Sequence, residues 1–211
     1  MAIALGYNAL VTRFNLAVPP LRQTFWLGAR AAETRMQAPD GTERIELPRG
    51  RVSAEPSTVE QLTFALKREH LNLTVLGALF EHRQVLADIQ EWLNSRPTSV
   101  YARRAGYLAH WLAGADFEYR APAGSPRVRL LNADDYLVGP EISSPQFAVV
   151  NNLLGSRAFS PLVRKTETLR GLLAEDLRAK VARAMDAIEP EVLSRAVDYL
   201  YLSETRSSYG I

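Results

Sequence analysis

The side chains best suited to chemistry in this sequence are three histidines, two pairs of adjacent carboxylates, a scatter of arginines and the hydroxyls of the closing stretch SETRSSYGI. His70, His82 and His110 are too far apart in sequence to build a local metal site, and none lies in H-E-x-x-H or a related string. A histidine beside tryptophan, as in AHWLAG, reads as a packed or capping residue. Neighbouring carboxylates on a helix diverge, so Asp134-Asp135 and Glu175-Asp176 do not pair for acid-base work, and Lys180 one turn beyond Asp176 suggests a surface ion pair. The asparagines and glycine of NNLLGS read as turn formers or helix caps. No G-x-x-x-x-G-K-[ST], G-x-G-x-x-G or G-x-S-x-G occurs, which leaves no nucleotide cradle and no serine-hydrolase elbow. Without cysteine there is no disulfide, thiolate metal site or cysteine nucleophile. On its own chemistry the chain is not a complete enzyme, and no metal or cofactor is expected to bind it.

The remaining candidates are the arginines, which make up most of the 25 basic residues. Net charge is only +2, and arginines stand beside acids throughout, as in GTERIELPRGR and LAEDLRAKVARAMD, so no one-signed stripe suited to phosphate is built and nucleic acid is not expected as a partner. Arg103-Arg104 and Arg127 with Arg129 are the pairs that could form a binding face. With 47% hydrophobic residues over 211 positions, the chain can bury a sizeable core. No apolar run approaches the ~18 residues of a membrane span, and the start MAIALGYNALVTRF lacks a basic leader, so a cytoplasmic protein with no membrane partner is expected.

The elements that must position these residues read mostly as helix. In the first 56 residues a short helix is expected around Tyr7 to Phe14, then a break at Pro19-Pro20, then a β-hairpin in which ERIELP places Ile45 and Leu47 on one face after an Asp40-Gly41 turn. Ser57 with Glu60 has capping-box spacing and opens a helix carrying Val59, Leu62 and Leu66. NLTVLGALFEHRQVLADIQEWL continues as a largely buried helical segment. Pro97 suits the first turn of the next helix, which carries Tyr101, Ala105, Leu108, Trp111 and Leu112 and closes at Gly114. Between Asp116 and Pro161 the prolines multiply, and an ordered connection wrapped on the helices is expected, with one short strand in PRVRLLN. Leu169, Leu172, Leu173, Leu177, Val181, Ala184 and Ile188 then form the clearest helical stripe, and a last helix starts at Pro190 with Leu193, Val197 and Leu200 expected on a buried stripe. The fold class is therefore mostly α: an irregular helical bundle (57–211) with a small N-terminal β-hairpin segment (1–56) and a long proline-containing connection.

Several blocks resemble the region that precedes the catalytic core in one group of Fic-family proteins, which transfer AMP from ATP to a protein hydroxyl. They are LTFALKREHLNLTVLGALFE, YARRAGYLAHWLAGADF, NNLLGSRAFSPLVRKTETL and above all YLYLSETRSSYGI. The resemblance covers most of the stretch from Leu62 to Ile211, the first 55 residues matching more loosely. In such proteins the helix before the core carries an inhibitory serine or threonine followed, after three residues, by a glutamate and then glycine or asparagine. Here Ser208 falls four positions before the residue that would follow Ile211. The resemblance thus implies that Ser208 is the helix-borne serine, with Ser207, Thr205 and Glu204 as neighbours able to replace or assist it. It also implies that the glutamate would pair with an arginine of the active-site loop and keep ATP from binding productively.

The catalytic string H-P-F-x-x-G-N-G-R is absent here, so AMP transfer, and the ATP and magnesium that it needs, would belong to a catalytic Fic domain joined in cis. The domain would further present a surface to a target protein or to a second copy of itself. A reading from another class stays open beside this one: an autonomous helical module binding protein or nucleic acid through Arg103, Arg104, Arg127 and Arg129.

Overall fold

The computed structural model describes residues 3–28, 31–48, 56–186 and 188–209, the side chains of 205–209 excepted. The described residues form eight helices and seven strands, the strands in two mixed sheets, so the fold is α/β and not the mostly helical bundle that the sequence suggested. The chain divides into two compact units, Met1–Val163 and Arg164–Ile211, and the break expected near residue 56 lies inside the first.

In the first unit, β1 (Ile3–Leu5), β2 (Gln23–Leu27), β3 (Thr34–Gln37) and β4 (Glu43–Leu47) make a sheet of order β1-β2-β4-β3. The expected hairpin is β3–β4. Its turn is held by Asp40 Oδ1, which accepts from Thr42 N at 2.9 Å, and by Gly41 at φ +81°. The other two strands were not foreseen. β2 runs parallel to β4 with Phe25 opposite Ile45 and Leu27 opposite Leu47, and β1 runs antiparallel to β2. Ile45 and Leu47 do share a buried face, and Leu5, Phe25 and Leu27 complete a small apolar cluster there.

The main core lies under α1 (Gly6–Phe14), α2 (Thr58–Arg68), α3 (Leu73–Leu79), α4 (Arg83–Ser95) and α5 (Val100–Ala113). The capping box at α2 is complete, Glu60 N donating to Ser57 Oγ at 3.2 Å and Ser57 N to Glu60 Oε2 at 2.7 Å. The segment after Asn72 is two helices instead of one. α3 buries Val75, Leu76 and Leu79 and α4 buries Val85, Ile89, Trp92 and Leu93, with the turn at Phe80–His82 between them. Pro97 precedes α5 instead of opening it, because the Ser99 hydroxyl caps the helix by accepting from Ala102 N at 3.3 Å. Gly114 ends α5 in the left-handed conformation, as its position suggested. The small residues Ala102, Ala105, Gly106 and Ala109 let α5 sit at the centre; a Cβ on Gly106 would lie 2.9 Å from both Leu93 and Phe147.

The proline-rich connection folds into a second sheet, β5 (Val128–Arg129), β7 (Val149–Asn151) and β6 (Ile142–Ser144) in the order β5-β7-β6, with β5 parallel and β6 antiparallel to β7. Leu130, Leu131, Phe147, Val149 and Leu153 from this segment belong to the main core. Asn152, expected to form a turn or cap, is buried and bonds both ways to Leu131, accepting from its N–H at 3.0 Å and donating to its carbonyl at 2.9 Å.

The second unit consists of α6 (Glu167–Ala174), α7 (Leu177–Asp186) and α8 (Pro190–Tyr209). The long stripe from Leu169 to Ile188 is thus broken at Glu175–Asp176. Asp176 Oδ1 accepts from Ala179 N at 2.9 Å and caps α7, while Lys180 pairs with Glu175 at 2.7 Å and not with Asp176. No residue of α6 or α7 is buried, and on α8 Leu193 is half-buried whereas Val197 and Leu200 are 42% and 59% exposed. The stripe expected to be buried on α8 is therefore largely exposed.

Replacing Asn152 with alanine would leave the Leu131 N–H and carbonyl unpaired in the core. The expected loss is about 2–4 kcal/mol of unfolding free energy in urea titration, with the native circular dichroism spectrum retained before the transition.

Candidate functional site

The residues singled out by sequence fall into three places. The first is the end of α8. Pro190 opens this helix, Val192 N and Leu193 N donate to Glu189 O, and Glu191 sits in the first turn, where the helix dipole favours an acid. The backbone is helical through Tyr209, so Glu204 and Ser208, four apart, share a face. Glu204 is exposed; the side chains of Thr205, Ser207 and Ser208 lie outside the described residues.

The second place is the interior. Arg103 is 0% exposed and is no part of a surface. Its Nη1 donates to the carbonyls of Pro126 at 2.9 Å, Ala148 at 3.2 Å and Phe147 at 3.5 Å, while Nε and Nη2 are buried without a partner. Arg104 is drawn inward too: Nη1 donates to Leu66 O at 3.2 Å and Nη2 to Leu130 O at 2.9 Å. Burial pulls its pKa below the ordinary arginine value. The bonds that the two guanidiniums make all go to backbone carbonyls, which makes them clamps between α5 and the connection, with Arg104 also satisfying a C-terminal carbonyl of α2. The third place is the surface of the second sheet, where Arg127 and Arg129 are exposed and Arg129 Nε meets Glu141 Oε1 at 2.5 Å. That bond holds the Arg129 guanidinium above its usual pKa. The four arginines are not brought to one face.

The histidines are engaged locally. His70 Nδ1 lies 3.0 Å from the Tyr136 hydroxyl, His110 Nδ1 lies 2.9 Å from Ala115 O, and the His82 ring packs on Phe14 at 5.1 Å between centroids. Among the described residues no group of three potential ligands could hold a metal ion, and no helix is long and apolar enough to cross a membrane.

A polar cluster that sequence reasoning missed surrounds the start of α1. This helix has no side-chain cap of its own, since Leu5 occupies that position. Its first N–H groups are instead satisfied from α2: Gly6 N donates to Gln61 Oε1 at 2.7 Å, and Tyr7 N donates to Glu69 Oε1 at 2.8 Å. Gly6 has φ +59°, and a Cβ there would collide with the Glu69 carboxyl and with Phe64, so only glycine fits. The Tyr7 hydroxyl in turn accepts from Asn72 N at 3.4 Å, and burial raises the Tyr7 phenol far above its usual range. Burial likewise pushes the Glu69 carboxyl up to about 8, against the lowering effect of the Tyr7 N–H bond. The visible trace in the sequence is a helix that begins L-G-Y-N with no Ser, Thr, Asp or Asn at the cap.

Compared with models of known protein families, with curated proteins and with solved structures, the chain matches none.

The Glu69 cluster makes stability depend on pH with a defined sign. The folded chain holds this proton more tightly than the unfolded chain, so its contribution is full below the ordinary value of 4.5 and is lost as pH rises through about 8. Glu69→Gln keeps an oxygen for the Tyr7 N–H and removes the titration. Urea midpoints measured across this range should fall with pH in the parent chain and lie flatter in the variant, the slope difference reaching up to ~1.4 kcal/mol per pH unit.

Proposed function

We propose that this chain is the non-catalytic N-terminal regulatory region of a Fic-like protein adenylyltransferase, and that α8 is the start of its inhibitory helix. The observation that carries this reading is the state of the second unit. Leu172, Leu173, Leu177, Val181 and Met185 on α6 and α7, Ile188 in the link between α7 and α8, and Val192, Val197 and Leu200 on α8 are all 42–59% exposed. Covering such side chains is worth about 1.5–3 kcal/mol each when burial is complete, so a run of amphipathic helices of this kind is built to lie against another protein surface. A catalytic core in cis is the surface that the blocks up to YLYLSETRSSYGI suggest.

In this reading the domain supplies position. The α8 backbone sets Ser208 on the face of Glu204, one turn later a glutamate on the same face would accept from the serine hydroxyl, and that carboxylate would occupy an active-site arginine meant for phosphate. ATP and magnesium would be held by the core alone. The competing module, with an arginine face for nucleic acid, is weakened because Arg103 and Arg104 are committed to carbonyls inside the fold.

The direct test is the coding sequence after the Ile211 codon. A glutamate codon followed further on by a histidine-led H-P-F-x-x-G-N-G-R frame is expected; an immediate stop would overturn the proposal. In the whole protein, Ser208→Ala should raise self-modification by labelled ATP roughly tenfold, the equivalent of one charge-assisted hydrogen bond lost from the inhibited state.

A further inference from the structure

Arg103 lies wholly inside the first unit, yet only one of its three guanidinium nitrogens has a partner. Nη1 is held by the carbonyls of Pro126, Ala148 and Phe147, whereas Nε and Nη2 are buried and meet no acceptor among the described residues. Nε and Nη2 carry three of the five N–H groups of an arginine and form its side-on edge, on which an anion is taken by two parallel bonds. The anchored nitrogen fixes the direction of the guanidinium. What it leaves over is the edge best suited to an anion.

The charge is uncompensated as well as the donors. An arginine keeps its proton in a protein, and no ion pair among the described residues includes Arg103. Tyr119 is the titratable group that feels this cation, and it does not supply the missing negative charge. Burial raises its phenol above the ordinary value against the lowering effect of Arg103, and its hydroxyl donates to Pro97 O at 2.5 Å. Carbonyl dipoles offset part of the cost of a buried cation, and a water molecule would occupy further donors, but both leave a unit charge in the interior. Ser125 Oγ, one residue before the Pro126 clamp, is a further buried hydroxyl without a partner. Arg104 differs, because both of its Nη atoms are bonded and Nε alone is left over.

We propose that the Nε–Nη2 edge of Arg103 is an interior anion site that takes a monovalent ion of chloride size. Enclosure sets the class of ligand. With Arg103 at 0% exposure, a partner's acidic side chain or a phosphate chain cannot reach this edge while its bulk stays outside, whereas a halide can be enclosed whole. A single negative charge also matches the single positive charge that the fold leaves unpaired. The inference rests on Arg103 alone and stands or falls independently of the adenylyltransferase reading.

The test is thermal unfolding of the full chain in sodium gluconate, with chloride exchanged in at constant ionic strength. Trp26, Trp92 and Trp111 all lie in the first unit, so tryptophan fluorescence follows its unfolding. Tm should rise by about 3–5 °C for each tenfold increase in chloride above its dissociation constant, and bromide should act alike. Arg103→Met keeps an apolar chain in the core and removes the charge, and its Tm should ignore both halides. Crystals grown in bromide should show an anomalous peak within hydrogen-bonding reach of Nε and Nη2. A parent Tm indifferent to chloride, a response retained in Arg103→Met, or a bromide map with water alone at this edge would each overturn the proposal. The parent titration and the bromide map decide it even where the variant does not fold.

Discussion

The burial of α5, and of Arg103 within it, is the constraint on which the first unit depends. A guanidinium with no exposure and no carboxylate partner is costly, and three backbone carbonyls offset part of that cost through a single nitrogen. Those carbonyls belong to Pro126, Phe147 and Ala148, which flank β5 and β7. The side chain thus fixes where the proline-rich connection must run, and Arg104 fixes Leu130 beside it. Phe147 then fills the space that Gly106 leaves and meets the rings of Tyr107, Phe117 and Tyr119 at 5.9–6.3 Å between centroids. A segment that composition marks as irregular becomes a sheet because a buried cation requires its carbonyls.

The same logic of long-range satisfaction governs the other end of the unit. α1 begins without a cap, and Gln61 and Glu69 reach across from α2 to supply its acceptors. Arg104 returns the service at the far end of α2 by taking the Leu66 carbonyl. Helix ends that would fray alone are closed by residues distant in sequence, and this ties β1–α1 to the helical core. Hence the expected domain break near residue 56 does not appear as a separate unit.

These long-range bonds also mark the limit of what the sequence disclosed. Features set by neighbours a few residues apart were legible: the Ser57–Glu60 capping box, the closing Gly114, the Asp40-Gly41 hairpin and the start of α8 at Pro190. Features set by distant partners were not. The pairing of β2 with β4, the second sheet and the inward turn of Arg103 and Arg104 leave no local period, and arginine pairs usually read as surface. The helix breaks at Phe80–His82 and Glu175–Asp176 escaped notice because apolar spacing continues across both. As for α8, its helical backbone was anticipated to the last turn, but the inhibitory role of Ser208 rests on resemblance.

The second unit poses the opposite problem to the first. α6 and α7 have 8 and 10 residues and bury none of them. Helices shorter than about 12–15 residues are marginal in water without packing, so a surface covering the apolar faces would stabilise them. Composition narrows what that surface is. From Arg164 to Ile211 the sequence holds eight basic and eight acidic residues, interspersed along all three helices. An interfacial membrane helix needs a basic polar face, and a nucleic-acid binder needs an excess of cations; neither is present. An apolar stripe bordered by both signs of charge is what a protein surface selects, since burial supplies the affinity and the mixed rim supplies the register. The first unit closes its helix ends with bonds made across the fold, whereas the second leaves most of the large apolar side chains of α6, α7 and α8 exposed.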